Sequence, residues 1–172
     1  MRVSMPHCRL KWEIPDKEGN NIVINWTLRR AEPQDAPALA ECVDAAYHPD
    51  LPLLRRPDYP GEGNYTRIIA LYHVWVAVDR GQIIGGLVLM PKEDHMLLAN
   101  IAVHPAHQGK GVGKALMELA DAEALDQGYK EIRLSANKDM TGTIDMYRRS
   151  GWAEMQSGEP GIHRMFMSKL LP

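Results

Sequence analysis

Apolar and polar residues alternate near the start of the chain. Cys8, Leu10, Trp12 and Ile14 carry one face, and Ile22, Ile24, Trp26 and Leu28 carry another. A period of two marks a half-buried strand. The run Pro15-Asp16-Lys17-Glu18-Gly19-Asn20 between them has turn chemistry. Residues 7 to 30 therefore predict a β-hairpin. Pro33 begins a helix whose apolar positions run from Ala36 to Tyr47. Pro49, Pro52, Pro57, Pro60, Gly61 and Gly63 break any regular pattern, so residues 49 to 63 read as loop. A short helix follows through Tyr65, Ile68, Ile69 and Leu71.

Val74 to Val78 is an apolar strand, and Asp79-Arg80-Gly81-Gln82 is a hairpin turn. Ile83 to Met90 returns, with Gly85-Gly86 marking a bulge or a close approach. Met96 to Val103 is another strand, ended by His104-Pro105. Val112, Leu116, Leu119, Ala122 and Leu125 fall three or four apart, which predicts an amphipathic helix. Gly128 stops it. Ile132 and Leu134 belong to a strand. Thr141 to Ser150 form a helix closed by Gly151, and Arg164 to Leu170 form a last strand. A meander followed by strand–helix units predicts an α/β fold: a mixed sheet with helices on both faces.

A chain of 172 residues suggests one domain, long enough to bury a core without staples. Apolar residues at 45% and charged residues at 24% fit a globular protein. The net charge of -2 gives no global argument for nucleic acid. No apolar run approaches the roughly 18 residues that span a bilayer, and the first residues lack the apolar segment of a signal peptide. Cys8 and Cys42 read as a reduced pair. The expectation is a cytoplasmic protein with neither nucleic acid nor membrane as partner. Met5 stands beside Met1 as an alternative start.

The chemistry concentrates in Ile101-Ala102-Val103-His104-Pro105-Ala106-His107-Gln108-Gly109-Lys110-Gly111-Val112-Gly113-Lys114. A strand ends, a glycine-rich turn follows and a helix begins. A helix start presents unpaired N–H groups and partial positive charge, which suit phosphate oxygens. Glycines admit a ligand close to the backbone. Lys110 and Lys114 add charge at the same end. A Walker A loop does not fit, because Ala115 follows Gly113-Lys114 and offers no hydroxyl for magnesium. A dinucleotide turn does not fit either, because Lys114 stands where its last glycine belongs. Gln/Arg-x-x-Gly-x-Gly/Ala is matched in full by Gln108, Gly111 and Gly113.

This segment resembles motif A of the GNAT N-acetyltransferases, including the strand before it and the His-Pro turn. The resemblance runs from about Trp26 to Leu170. Met140 to Trp152 resembles motif B, a helix with a tyrosine, here Tyr147, that ends at Gly-Phe/Tyr, here Gly151-Trp152. Thr143 stands where many members have asparagine. The resemblance implies a GNAT fold, with a mostly antiparallel mixed sheet in residues 24 to 172. Residues 1 to 23 would form an extension with one extra strand. A lone hairpin is marginal in water, so it should add to the main sheet or pack on a second copy, as in the homodimers common among relatives.

The resemblance further implies acetyl-CoA as co-substrate and direct attack by an acceptor amine, of a small molecule or of a protein, in a ternary complex. Gln108, Gly109, Lys110, Gly111, Val112, Gly113 and Lys114 would cradle the pyrophosphate. Ile101, Ala102 and Val103 would pair with the pantetheine arm, and one of their N–H groups would serve the oxyanion. Tyr147 would protonate the leaving sulfur, a phenol being mostly protonated at neutral pH; its alternative reading is a core tyrosine. Tyr47, His48 and the loop Asp50 to Tyr65 would form the acceptor pocket.

The general base is not evident. Glu93, Asp94 and His95 are candidates beside solvated-turn readings, and Asn100 could orient a water. His104 and His107 read as turn residues, and no metal-binding spacing appears. Two functions stay open, an acetyltransferase and a catalytically idle relative that senses acetyl-CoA.

Overall fold

The computed structural model describes residues 13–15, 21–23, 26–50, 63–156 and 163–172, with side chains from Trp26 onward. Its strands are β1 (Glu13–Pro15), β2 (Asn21–Val23), β3 (Trp26–Arg30), β4 (His73–Asp79), β5 (Gln82–Pro91), β6 (Met96–Val103), β7 (Glu131–Asn137), β8 (Ala153–Glu154) and β9 (Arg164–Leu170). Its helices are α1 (Ala36–Tyr47), α2 (Tyr65–Leu71), α3 (Val112–Asp126) and α4 (Thr141–Arg149). The main sheet has seven strands in the order β3-β4-β5-β6-β7-β9-β8. Only β6 and β7 run parallel; every other neighbouring pair is antiparallel. This is the mixed, mostly antiparallel sheet that the resemblance implies.

The two-residue period of β4 places the sheet between two helical layers. Val74 and Val76 face α1 and α2, packing with Ala36, Leu39, Val43 and Tyr65. Trp75 and Ala77 face the other way, into the core shared with α3 and α4. Gly85 and Gly86 are the close approach expected of them. A Cβ on Gly85 would meet Val112 Cγ1 of α3 at 3.1 Å, and one on Gly86 would collide with Leu39 of α1. Beside them a bulge leaves Ile84 without a cross-strand partner, as Ala77 pairs with Gly85 and Val78 with Ile83.

A second bulge sits in β6. Val88 pairs with Asn100 and Leu89 with Leu98, so Ala99 is the extra residue. It inverts the alternation of the strand. Met96 and Leu98 before it face α3, while Ala102 after it faces α1.

Three expectations change. The alternation from Ile22 to Leu28 belongs to two strands, because β2 pairs with β1 and β3 pairs with β4. Residues 13–15 and 21–23 form a separate two-stranded sheet and add nothing to the main one; Cys8, Leu10 and Trp12 lie outside the described residues. On α3 the buried residues are Val112, Ala115, Leu116, Met117, Ala120, Glu123 and Ala124, while Ala122 and Leu125 lie on the exposed side. Burial of Glu123 is tolerable because Arg30 and His73 both bind its carboxylate. Besides these, β8 is a two-residue edge strand on which the sequence pattern is silent. Among the described residues, no helix is long and apolar enough to cross a membrane.

Candidate active site

Parallel pairing between β6 and β7 covers only Met96 with Ile132 and Leu97 with Arg133. Beyond that point β6 stays with β5 as far as Val103, and β7 stays with β9 as far as Asn137. The two strands splay, and the β7-facing edge of β6 from Leu98 to Val103 carries no ladder. An unpaired strand edge is a template for an extended chain. The wedge opens into a cleft of about 490 Å³.

At the end of β6, a 3-10 turn (Pro105–His107) leads into the glycine run. Gly109 has φ +72° and Gly111 has φ +79°, a left-handed backbone that side-chain-bearing residues rarely adopt. Gly111 is the cap of α3, and its carbonyl accepts the first helical bond from Ala115 N at 3.0 Å. The N–H groups of Val112, Gly113 and Lys114 therefore have no partner within the helix. They lie at its positive end, a fit for an anionic group.

Ile101, Ala102, Val103, Gln108, Gly109, Gly111, Gly113 and Lys114 all line the cleft. Two of the expected cradle residues do not. Val112 turns its side chain into the core, only 1% exposed, so the backbone alone remains for a ligand. Lys110 bends back, its Nζ donating to Ala106 O at 2.8 Å. Gln108 Nε2 donates to Val103 O at 3.0 Å, which ties the turn to the strand it leaves. His104 Nδ1 accepts from Ala106 N at 3.2 Å, a turn role as expected.

Tyr147 comes from α4, lines the same cleft and is otherwise buried. Its ring meets Trp152 edge-on at 5.8 Å. Burial, with the nearby Tyr47, raises its pKa above the usual phenol value, so the proton is held well above neutral pH. Tyr47 and Asp50, at and just beyond the end of α1, line the same cleft. Tyr47 Oη donates to Asn100 Oδ1 at 2.9 Å, and Asn100 Nδ2 donates to Tyr65 Oη at 3.3 Å. Burial and the Asp50 charge push Tyr47 up to about 12, against the opposing pull of Arg164.

Glu93, Asp94 and His95 do not reach the cleft. They precede β6 at its far end, where Asp94 pairs with His95 at 2.6 Å and with Arg133 at 3.2 Å. His48 is exposed and does not line the cleft. Ala46, Met140 and Met146 also line it, from α1, the cap of α4 and α4 itself, and as apolar residues they carry no signal in the sequence beyond packing. Among the described residues, no cluster of His, Cys, Asp and Glu could hold a metal ion.

Residues 70–154 match the family model described as acetyltransferase (GNAT) domain. The chain carries a GNAT acetyltransferase domain. The mycothiol acetyltransferase of Jonesia denitrificans is 37% identical over 87 residues, covering 49% of this chain and 28% of that protein. N-acetyltransferase 8 of Rattus norvegicus is 31% identical over 84 residues, covering 45% of this chain and 38% of that protein. The chain thus spans well under half the length of these curated relatives. Among solved structures, the PaiA N-acetyltransferase of Thermoplasma acidophilum in complex with coenzyme A superposes with a TM-score of 0.74 at 17% identity. The superposition covers 86% of this chain and 99% of that one. Nourseothricin acetyltransferase superposes with a TM-score of 0.64 at 24% identity, covering 87% of this chain and 100% of that one. At these identities the likeness is one of fold, and the GNAT fold is what it shows.

Proposed function

We propose that this GNAT domain transfers an acetyl group from acetyl-CoA to a primary amine, by direct attack in a ternary complex. Acetyl-CoA supplies the activated acetyl group as a thioester. One observation carries the reading: the unpaired edge of β6, the glycine cradle and Tyr147 open onto a single cleft.

The N–H groups of Val112, Gly113 and Lys114 suit the pyrophosphate, and left-handed Gly109 and Gly111 keep side chains out of its way. Ile101, Ala102 and Val103 suit the pantetheine arm as a neighbouring strand, and one of their N–H groups suits the acyl oxygen as negative charge develops there. The amine nitrogen bonds to the acyl carbon, the carbon–sulfur bond breaks, and the sulfur leaves with a proton from Tyr147 Oη. Holding that proton at neutral pH is what the raised Tyr147 pKa favours. The amine must be neutral to attack and loses a proton in the process. With Glu93, Asp94 and His95 off the cleft, water in the cleft is the simplest acceptor.

A second reading is an acetyl-CoA-binding regulator without transfer activity, favoured by the absence of those three candidate bases from the cleft. Thiol release from acetyl-CoA across a panel of amines separates the two. Release with at least one amine supports the transferase. Cofactor binding with no release from any amine supports the regulator.

A further inference from the structure

Asp50 supplies the one carboxylate among the described residues that line the cleft, and Lys114 supplies the one cationic side chain. The two come from different elements. Lys114 sits in the first turn of α3 at the cradle, and Asp50 follows α1 in the 3-10 turn His48–Asp50. Asp50 is half-buried, and its carboxylate has no ion pair or hydrogen bond among the described residues. Arg164, the cation whose field is felt at Tyr47, is held on Ser135 by hydrogen bonds of 2.8 Å and 3.1 Å. A carboxylate on a cleft wall with no cation bound to it among the described residues favours a cationic ligand there.

That cation is not well read as the reacting amine. A carboxylate against an ammonium favours its charged form, and the charged form cannot attack a carbonyl. Asp50 suits a second positive centre, held away from the nitrogen that reacts. Ala46, Met140 and Met146 supply apolar wall in the same cleft, a match for a methylene spacer. Tyr47 has its proton committed to Asn100, so its oxygen can only accept, which suits an acceptor N–H and not a second hydroxyl-seeking anion.

We infer that Asp50 is the specificity residue of the acceptor site and selects diamines, binding the distal ammonium while the other nitrogen faces the acetyl group. The inference rests on the cleft being an amine-acceptor site. It makes monoamines poorer ligands, and it disfavours acceptors whose second charge is negative, by repulsion at the same carboxylate.

The test is a binding measurement, so it stands apart from turnover. Titrate 1,4-diaminobutane and butylamine by calorimetry into protein saturated with CoA, using the wild type, Asp50→Asn and Asp50→Glu. The wild type should bind the diamine roughly five- to tenfold more tightly than the monoamine, the scale of one charge-assisted contact near solvent. Asp50→Asn should abolish that preference with CoA affinity unchanged, Asp50→Glu should keep part of it, and added salt should weaken it. No preference in the wild type, no binding of either amine, or an equal preference in Asp50→Asn would each overturn the inference. Amine binding without thiol release in any assay would instead sink the transferase reading and leave the role of Asp50 in binding intact.

Discussion

Tyr47 Oη donates to Asn100 Oδ1 at 2.9 Å, across 53 residues of sequence, and this bond joins α1 to β6 at the wall of the cleft. It exists because the extra residue Ala99 turns Asn100 toward α1. Without the bulge, Asn100 would face the apolar core against α3. Asn100→Leu removes the acceptor of the half-buried Tyr47 hydroxyl and should cost about 1–3 kcal/mol. Urea unfolding measures it; an unchanged midpoint would mean that water replaces the amide.

Gly111→Val should abolish acetyl-CoA binding. The residue caps α3 at φ +79°, where a β-branched side chain is strained, and it lines the cleft. Calorimetry on a variant shown to be folded by circular dichroism decides. Unaltered affinity in a folded variant would move the pyrophosphate site elsewhere.

Tyr147→Phe should lower kcat by roughly 10- to 1000-fold with little change in acetyl-CoA affinity, a range around that of general acid catalysis. The phenol borders the cleft and packs on Trp152 through its ring, which phenylalanine keeps. Rates should be compared where chemistry limits turnover. A kcat equal to wild type would return Tyr147 to the core.

Stability should fall in alkali. Tyr47, Tyr65 and Tyr147 all have pKa values raised by burial, and burial pushes Cys42 from 9.0 up to about 11. A raised group holds its proton in the folded state after the unfolded chain has lost it. The unfolded state then binds fewer protons, and unfolding becomes easier as pH rises. The contribution is complete below about pH 9 for Cys42 and below about pH 10 for the tyrosines. For Tyr47 it is lost as pH climbs from 10.0 toward about 12. Urea midpoints between pH 8 and pH 11 should decline, and Tyr47→Phe should flatten the slope. A flat wild-type profile would contradict the burial of these hydroxyls.

Gly86→Ala should destabilise by about 1–3 kcal/mol, since its Cβ would collide with Leu39 of α1. Combining it with Leu39→Ala should cost less than the sum of the two single changes, because the second removes the atoms that the first strikes. Additive costs would show that α1 moves away freely.

Much of the site is legible because its determinants are local. Gln108 to Gly113 brings a strand end, a left-handed turn and a helix start within six residues, and the conformations depend on which positions lack a Cβ. The two faces of β4 follow from Val74-Trp75-Val76-Ala77 by alternation alone. The phase of α3 was less legible. Leu125 outweighs Ala120 and Ala124 in any apolar count, yet the alanines face the sheet, where α3 packs closely, and Leu125 is 39% exposed. Glu123 is buried only because Arg30 and His73 arrive from β3 and the start of β4.

The sequence by itself determined the alternation that makes strands, the glycines that shape the cradle, and the tyrosine on α4. Each depends on backbone sterics or on solvent exposure over a few residues. Tertiary structure alone decided where β6 parts from β7, since that depends on which of two partners each strand keeps. It also decided that Glu93, Asp94 and His95 fall at the wrong end of β6, and that Asp50 and Tyr147, 97 positions apart in sequence, share one cleft. No local pattern encodes such pairings, because they arise from the packing of distant segments around a common core.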